Sequence, residues 1–200
     1  MAEESRPRQI VLVRHGATDW SEAGRHTGWT DIPLNNDGLR QAATLARRLA
    51  PHTFELVLCS PLQRAVSTCR IAGYRDVAEL DADLREWSYG DYEGMTTAQI
   101  RERDRHWNLW DEGVLNGETL AEVAARADAV IARVRAVEGD VALFAHGHLL
   151  RVLAVRWIAQ HAPLARHFNL STASISTLAW EHDWPSITLW NDVSHLRGQG

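Results

Sequence analysis

Three short apolar runs are the clearest feature of the hydrophobic pattern along this chain. They cover residues 10–13, 56–59 and 141–145, and in each run the apolar positions are consecutive rather than alternating. Unbroken runs of this length indicate strands that are covered on both faces, as in a parallel sheet. Two later segments, residues 175–180 and 187–190, predict two further strands.

Helical periodicity fills the stretches between these runs. From Leu120 to Val137 apolar residues recur every three or four positions, and Thr119 with Glu122 forms a capping-box pattern at the start. A second helix is predicted from Gly38 to Ala50. Two more are predicted, one beginning at Pro61 with Ser60 as its cap, and one that follows His148 and runs through Ile158.

Strands that alternate with helices predict an α/β fold, here a three-layer α/β/α sandwich with a mostly parallel central sheet. The length of 200 residues fits one domain over residues 1–200. The tails, 1–8 and 197–200, are predicted to be loose. The segment 85–117 is polar and rich in tryptophan, and we expect an insertion that packs over one edge of the sheet.

The amino-acid composition limits which side chains can bind an anion and which partners are expected. All 21 basic residues are arginine and the formal net charge is −5, so an anion site would use arginine, histidine or backbone N–H groups. The absence of a basic run argues against nucleic acid as a partner. No stretch approaches the roughly 18 apolar residues of a membrane span, and no apolar signal core begins the chain, so we expect no membrane partner and a cytoplasmic protein. Cys59 and Cys69 lack metal-ligand spacing and are predicted to be buried thiols.

Side chains with chemical capacity follow all three apolar runs, at the point where each run ends. Because ligands of open α/β sheets bind beyond the carboxyl ends of the strands, we expect these side chains at one rim. The helices that follow the second and third runs are predicted to add N–H donors there. A lone histidine at a strand end is more often structural, so the prediction of a phosphate site depends on the combination. Its members are Arg14, His15, Arg64, His146 and His148.

Several motifs resemble those of one protein family, and they follow one another along the chain in the same order as in that family. Residues 14–18 read R-H-G-A-T and match the R-H-G-x-[ST] signature of the histidine phosphatase superfamily, which includes cofactor-dependent phosphoglycerate mutases. The resemblance extends over about residues 10–155. It continues through residues 24–34, Gly38 with Gln41 and Ala42, residues 60–65, residues 84–94, and His146 with Gly147.

The resemblance implies a phosphoglycerate mutase-like fold and a phosphomonoester hydrolase that works without metal or cofactor. It makes His15 the nucleophile that forms a phosphohistidine, and it makes Arg14, Arg64 and His146 the groups that hold the phosphoryl oxygens. Glu86 would be the proton donor to the leaving alkoxide and then the base toward water. The expected substrate is a small phosphorylated metabolite, a sugar phosphate or sugar bisphosphate.

Further residues are expected to bind substrate, and a purely structural role is the alternative for several of the site residues. Glu86 alone would be a surface carboxylate paired with Arg85 or another arginine, and His148 is equally suited to start a helix. Two of the positions, Thr27 and Gly28, would otherwise only shape a turn, and Tyr89 would otherwise be packing. The full substrate-binding set is Arg14, Ser21, Thr27, Gly28, Arg64, Tyr89, His146 and Gly147.

Two alternative functions stay open. A phosphoglycerate mutase is the first, but Ser21 stands where mutases of the family carry asparagine, and the stretch from Glu86 to His146 is short. Three arginines in that stretch, Arg101, Arg103 and Arg105, are spaced around a predicted helix rather than gathered in one clamp. A catalytically inactive phosphate-binding module is the second, although a degenerate site would tend to lose one of the expected groups. The sequence leaves the oligomeric state open, a homo-oligomer included.

Overall fold

A six-stranded sheet forms the centre of the structure, a computed structural model that describes residues 8–197. The strand order is β3-β2-β4-β1-β5-β6. The strands run β1 Ile10–Arg14, β2 Leu56–Cys59, β3 Ala78–Leu80, β4 Val141–Ala145, β5 Ile175–Glu181 and β6 Trp184–Asp192.

The mixed α/β fold with a mostly parallel sheet is confirmed. β1 and β2 each pair parallel with β4, and β3 pairs parallel with β2. β5 pairs antiparallel with β1, and β6 pairs antiparallel with β5. The three apolar runs are therefore adjacent at the centre, with β4 between β1 and β2. β3 was not predicted, since a three-residue, largely exposed strand has little hydrophobic signal.

Helices cover both faces of the sheet, which explains the unbroken apolar runs. Along β1, Ile10 and Leu12 face a core that contains α6 and α7, and Val11 and Val13 face a second core that contains α2 and α3. The α-helices are α1 Asp19–Glu22, α2 Asn36–Leu49, α3 Gln63–Ile71, α4 Thr97–Arg103, α5 Leu109–Glu112, α6 Leu120–Arg135 and α7 Gly147–Trp157, with 3-10 helices at Ala82–Leu84, Gly90–Tyr92, Ala162–His167 and Ser194–Leu196.

The N-terminus of α6 agrees with the prediction, whereas that of α3 differs from it. The capping box of Thr119 and Glu122 is present at α6. The helix predicted from Pro61 begins instead at Gln63, and its N-cap residue Leu62 provides no side-chain hydrogen bond. Ser60 is therefore not the N-cap residue; its hydroxyl lies 2.7 Å from Nε2 of His146 and accepts from the backbone N–H of Leu62 at 3.4 Å.

Two predictions about the periphery are corrected. The tryptophan-rich segment 85–117 packs on α6 and α7 rather than on an edge strand, as the contact between the tilted rings of Trp110 and His148, 5.5 Å between centroids, illustrates. Of the predicted loose tails, residues 1–7 and 198–200 lie outside the described residues. Arg8 is docked, with its guanidinium carbon 4.1 Å from the centroid of the Trp180 ring.

Two further expectations concern cysteines and membranes. Cys59 and Cys69 are free and buried, as predicted. Within residues 8–197, no helix combines the length and the apolar character needed to cross a bilayer.

Candidate active site

A cavity of about 210 Å³ lies at the carboxyl edge of the parallel strands. Arg14, His15 and Glu86 form part of its wall. Arg64 and His146 are fully buried and do not belong to that wall. The remaining wall residues are Ser21, Gly24, Arg25, His26, Thr27, Tyr89, Gly147, His148, Arg151 and Leu170.

His15 lies directly beyond β1, with its ring centroid 5.1 Å from that of His146. Its Nδ1 is 2.7 Å from the carbonyl oxygen of Gly16. A carbonyl only accepts, so Nδ1 carries the proton and Nε2 presents a lone pair. Burial, followed by the charges of Arg64 and Arg14, holds the pKa of His15 well below 6.5, so the ring is neutral at neutral pH.

The loop that carries His15 is fixed by close backbone packing against the start of α2. A Cβ added to Gly16 would lie 2.5 Å from the carbonyl oxygen of Gly38, so only glycine fits there. The backbone N–H of Ala17 donates to Oε1 of Gln41 at 2.8 Å, and that of Gly16 donates to Oγ1 of Thr68 at 3.1 Å. The R-H-G motif at residues 14–16 therefore packs directly against the helix start that carries Gly38 and Gln41.

The guanidinium group of Arg64 is held by the loop that follows α1. Its Nη2 donates to the carbonyl of Gly28 at 2.7 Å and its Nη1 to that of Thr30 at 3.1 Å. Glu93 fixes this loop, because its carboxylate accepts from the backbone N–H groups of Trp29 and Thr30, both at 2.7 Å. Gly28 thus contacts Arg64 and not the cavity, whereas Thr27, also predicted to bind substrate, lies in the cavity wall.

Three buried N–H groups converge on the region around His15 without a hydrogen-bond partner among residues 8–197. They are Nε of Arg14, Nε of Arg64 and Nδ1 of His146. The Ser60 hydroxyl lies 2.7 Å from Nε2 of His146, and burial keeps the ring neutral by lowering the pKa of His146 well below 6.5. When the hydroxyl donates to Nε2, Nδ1 bears the proton of that ring. Burying an unpaired donor costs free energy, so three together indicate a site built for an acceptor-rich anion.

Glu86 is buried, which contradicts its alternative interpretation as a surface carboxylate. It is 5% exposed, and it accepts from the backbone N–H groups of Trp87 at 3.0 Å, His148 at 3.0 Å and Leu149 at 2.9 Å. Arg85 turns away from it and lies over the ring of Trp29.

The expected N–H donors at the helix N-termini are therefore taken by carboxylates. Those of α7 bind Glu86, and that of Gln63 at the start of α3 donates to Asp31 at 2.8 Å. The sequence does not show that these N–H groups are taken, because it does not reveal which distant carboxylate folds back onto a helix end.

Tyr89 and His148 form a hydrogen-bonded pair in the cavity wall. The hydroxyl of Tyr89 lies 2.6 Å from Nδ1 of His148. Burial raises the pKa of Tyr89 well above 10, and burial lowers the pKa of His148 well below 6.5, so both groups are neutral. His148 thus lies in the first turn of α7 and faces the cavity.

Ser21 and Gly147, two other predicted binding residues, also lie in the wall. The Ser21 hydroxyl is tied to the backbone of Thr18 in a capping box. A Cβ on Gly147 would lie 3.3 Å from the guanidinium carbon of Arg14, so this glycine leaves room for that side chain.

Sequence reasoning missed several residues of the site. Arg25, His26 and Arg151 line the cavity. Glu118, which had no assigned role, pairs with Arg126 at 2.8 Å, and Arg126 in turn donates to the carbonyl of Arg85 next to Glu86. The position of Arg151, one helical turn after Gly147, was the signal available for it.

The three arginines considered for a mutase-type clamp, Arg101, Arg103 and Arg105, are exposed and absent from the cavity wall. Across the described part of the chain, no group of three or more histidine, cysteine, aspartate or glutamate side chains is arranged to hold a metal ion.

Comparisons with known proteins all point to one family. The family model described as the histidine phosphatase superfamily (branch 1) matches residues 10–193. An acid phosphatase of Mycobacterium tuberculosis is 38% identical over 194 residues, which cover 95% of this chain and 95% of that protein. A sedoheptulose 1,7-bisphosphatase of Saccharomyces cerevisiae is 38% identical over 183 residues, which cover 74% of this chain and 67% of that protein.

Solved structures agree with the sequence relatives. A mycobacterial glucosyl-3-phosphoglycerate phosphatase, determined in complex with VO3, is 30% identical and superimposes with a TM-score of 0.83. The match covers 92% of this chain and 98% of that one.

Proposed function

The chain belongs to the histidine phosphatase superfamily and is a phosphoric monoester hydrolase, and from that premise we propose that it hydrolyses a small phosphorylated metabolite through a phosphohistidine on His15, without a metal ion. The substrate class proposed is a sugar phosphate or sugar bisphosphate. The names of two similar proteins, a sedoheptulose 1,7-bisphosphatase and a glucosyl-3-phosphoglycerate phosphatase, support that class.

The observation that carries the proposal is the set of three unpartnered buried donors around a neutral histidine. Nε of Arg14, Nε of Arg64 and Nδ1 of His146 would each donate to one equatorial oxygen of the phosphoryl group. Phosphoryl transfer places most of its charge on those oxygens, so fixed donors stabilise the transition state. The two arginines already neutralise a dianion, which leaves no charge for a metal ion to balance.

In the first step Nε2 of His15 attacks phosphorus and the bond to the leaving oxygen breaks. The hydrogen bond from Nδ1 to the Gly16 carbonyl orients the ring and stabilises the positive charge that the ring acquires. Glu86, which also lines the cavity, gives a proton to the leaving alkoxide, so that the product departs as a neutral alcohol.

In the second step water replaces the alcohol. Glu86 takes a proton from that water, whose oxygen attacks phosphorus, and the bond between phosphorus and Nε2 breaks. The products are inorganic phosphate and the starting form of His15. Each step would use the same three donors, which hold the phosphoryl group beside His15 throughout.

Hydrolysis and a mutase activity can be separated directly. The protein is incubated with 3-phosphoglycerate and a trace of 2,3-bisphosphoglycerate, with and without EDTA, and both inorganic phosphate and 2-phosphoglycerate are measured. We expect phosphate release that EDTA does not change. Fast isomerisation without phosphate release would reject the hydrolase, and strong inhibition by EDTA would reject the metal-independent mechanism.

A panel of phosphorylated metabolites then defines the substrate. Each is assayed for phosphate release at the same concentration, with an aryl phosphate as a reference that needs no acid catalysis. Sugar phosphates or bisphosphates are expected to give the highest kcat/KM. No turnover of any ester, the aryl phosphate included, would leave only the inactive phosphate-binding module.

A further inference from the structure

An ion pair outside the cavity wall holds residues 83–88, which we call the Glu86 segment. The pair is formed by Glu118, which precedes α6, and Arg126, in the second turn of α6. Nε of Arg126 donates to Oε1 of Glu118 and Nη2 donates to Oε2, both at 2.8 Å. Because neither residue lines the cavity, any effect of the pair on catalysis must pass through the segment that it holds.

Arg126 uses each of its five N–H groups in a hydrogen bond. Two bonds go to Glu118, and the other three go to backbone carbonyls of the Glu86 segment. Nη1 donates to the carbonyl of Asp83 at 2.7 Å and to that of Arg85 at 2.8 Å, and Nη2 donates to that of Glu86 at 3.4 Å. A guanidinium group presents its donors in one rigid plane, so these contacts fix the segment relative to α6.

Glu118 holds the residues that follow Glu86. Its Oε2 accepts from the backbone N–H of Ser88 at 2.8 Å, and its own backbone N–H donates to the Ser88 carbonyl at 3.0 Å. Its carbonyl accepts from Nε1 of the buried Trp87 at 2.7 Å. A Cβ on Gly117 would lie 2.3 Å from the Ser88 carbonyl oxygen, so the close contact needs a glycine there. One ion pair thus fixes the backbone on both sides of Glu86.

The carboxylate of Glu86 is held separately, by the N–H groups at the start of α7. A proton donor must lie within hydrogen-bond reach of the leaving oxygen, so its position matters for the rate. The groups proposed to hold the phosphoryl oxygens, Arg14 and Arg64 among them, belong to β1 and α3 instead. Loss of the ion pair is therefore expected to displace Glu86 and to leave the phosphoryl site in place.

The burial of the pair also favours a role in positioning. The side chains of Arg126 and Glu118 are 13% and 14% exposed, against 34% and 45% for Arg156 and Asp128, a pair that also involves α6. The cost of removing two charges from water offsets much of their attraction, so a mostly buried ion pair is weak evidence for a role in stability. Its contacts along one short segment indicate what it does instead.

We propose that Glu118 and Arg126 are positioning residues, which keep the carboxyl group of Glu86 at the leaving oxygen of the substrate. The inference rests on the proposed phosphatase function and on the acid role of Glu86. It adds two residues that affect catalysis through Glu86 and do not touch the substrate. Esters are then expected to depend on the pair only as far as their leaving groups need a proton.

The test compares an alkyl phosphate with an aryl phosphate in Arg126→Met, which keeps an apolar stem and removes the five N–H groups. We expect kcat/KM for the alkyl ester to fall about 10- to 100-fold, the cost of a displaced catalytic group. The aryl ester is expected to lose about threefold or less, since its leaving group departs without a proton. Burial is the largest cause of the lowered pKa of His146 and the charge of Arg126 the smallest, and a change there would affect both esters alike.

A double variant shows whether the effect passes through Glu86. Once Glu86→Gln has removed the proton donor, adding Arg126→Met is expected to change kcat/KM for the alkyl ester by no more than about twofold, because two changes that act on one group are not additive. If the two losses multiplied instead, Arg126 would act independently of Glu86 and the inference would be overturned.

Two further variants keep the test decisive if Arg126→Met folds poorly. Glu118→Gln keeps the size of the side chain and removes its charge, and it should give a smaller loss that is again selective for the alkyl ester. Arg126→Lys should recover part of the alkyl rate. Equal losses on both esters in Glu118→Gln, or no recovery in Arg126→Lys, would assign the pair to stability alone.

Arg133→Met is the matched control. Arg133 lies seven residues after Arg126 on α6 and pairs with Glu79 and with Asp81, the latter at 3.0 Å, just before the Glu86 segment. Its loss breaks a contact between the same helix and the same stretch of chain, and it should leave both esters unchanged. Melting temperatures are measured for every variant. A selective loss on the alkyl ester in Arg133→Met would contradict the assignment to Glu118 and Arg126.

The outcomes separate this inference from the proposed function. A selective loss in Glu86→Gln with none in Arg126→Met or Glu118→Gln would reject the positioning role and leave the phosphatase intact. Equal losses on both esters in Glu86→Gln would remove the acid role, and the positioning role with it, while hydrolysis itself remained. Failure of the unmodified protein on both esters would instead reject the phosphatase.

Discussion

At the scale of single residues, the site depends on histidines that are kept neutral. His15 and His146 are buried, and the side chain of His148 is 24% exposed at the cavity wall. Burial is the first cause of the lowered pKa of each. For His15 this matters directly, because a protonated imidazole has no lone pair with which to attack phosphorus. After burial, the charges of the two arginines proposed to hold the phosphoryl group also lower the pKa of this proposed nucleophile.

The nucleophile assignment gives the first prediction. His15→Ala is expected to reduce hydrolysis of an aryl phosphate to below about 1% of the unmodified rate, because the covalent step has no other imidazole at that position. Phosphate release measures it. His106→Ala, which removes an exposed histidine, is the control and should keep full activity. Survival of more than a few per cent of the activity in His15→Ala would refute the assignment.

Glu86 gives the second prediction, which compares leaving groups. Glu86→Gln removes the proton donor, so alkyl phosphates are expected to lose about 10²- to 10⁴-fold in kcat, whereas aryl phosphates, whose leaving groups depart without a proton, lose much less. The ratio of the two rates is the measurement. It cancels any general loss of stability that follows from the three backbone N–H groups bound by this carboxylate. Equal losses on both esters would remove the acid role.

At the scale of elements, the site is assembled by contacts between segments that are far apart in sequence. Glu86 binds the N-terminus of α7, and the carbonyl of Gly28 binds Arg64. The local motifs could be predicted to matter, since glycine, arginine and histidine follow strand ends. Their partners could not, because the choice of carbonyl or N–H group is decided by how the loops fold back across the sheet.

The contact between the His15 loop and α2 gives the third prediction. A Cβ at Gly38 would overlap the carbonyl oxygen of Ala17, so Gly38→Ala is expected to cost about 1–3 kcal/mol of unfolding free energy and to lower kcat by displacing His15. Chemical denaturation and steady-state kinetics measure the two effects.

Leu39→Ala, at the adjacent and exposed position of the same helix, is the matched control and should change little. If both variants were equally stable and equally active, the close packing of Gly38 would not hold the loop.

At the scale of the whole molecule, the layered fold was predictable because its three central strands are covered on both faces. The runs at β1, β2 and β4 have no polar face, and helices on both sides account for that. The strand order was not predictable, nor was the antiparallel pairing of β5 and β6. Both depend on long-range pairing that leaves no periodic trace in the sequence.

Enclosing several neutral histidines also affects the stability of the whole fold. A histidine whose pKa is lowered in the folded state takes up a proton more readily in the unfolded state, where its pKa is about 6.5. As pH falls below that value, the unfolded state binds more protons and the free energy of unfolding decreases. Above about pH 7 both states are unprotonated and these groups have no effect.

The fourth prediction isolates this effect with two variants. His148→Asn removes a histidine whose side chain is only 24% exposed, and His182→Asn removes one whose side chain is 87% exposed, at a positive φ that asparagine tolerates. Melting temperatures are measured from pH 7.5 to pH 5, and each kcal/mol lost should lower them by about 2–4 °C for a chain of this size.

The melting temperature of His148→Asn is expected to decrease less on acidification than that of His182→Asn. Both variants keep the same carboxylates, and within residues 8–197 His182 contacts only the exposed carboxylate of Glu181 at 3.7 Å, so most of the difference reports His148. Identical pH dependence in the two variants would mean that this histidine is accessible to protons in the folded state, and that the cavity wall at Tyr89 and His148 is more open than the structure shows.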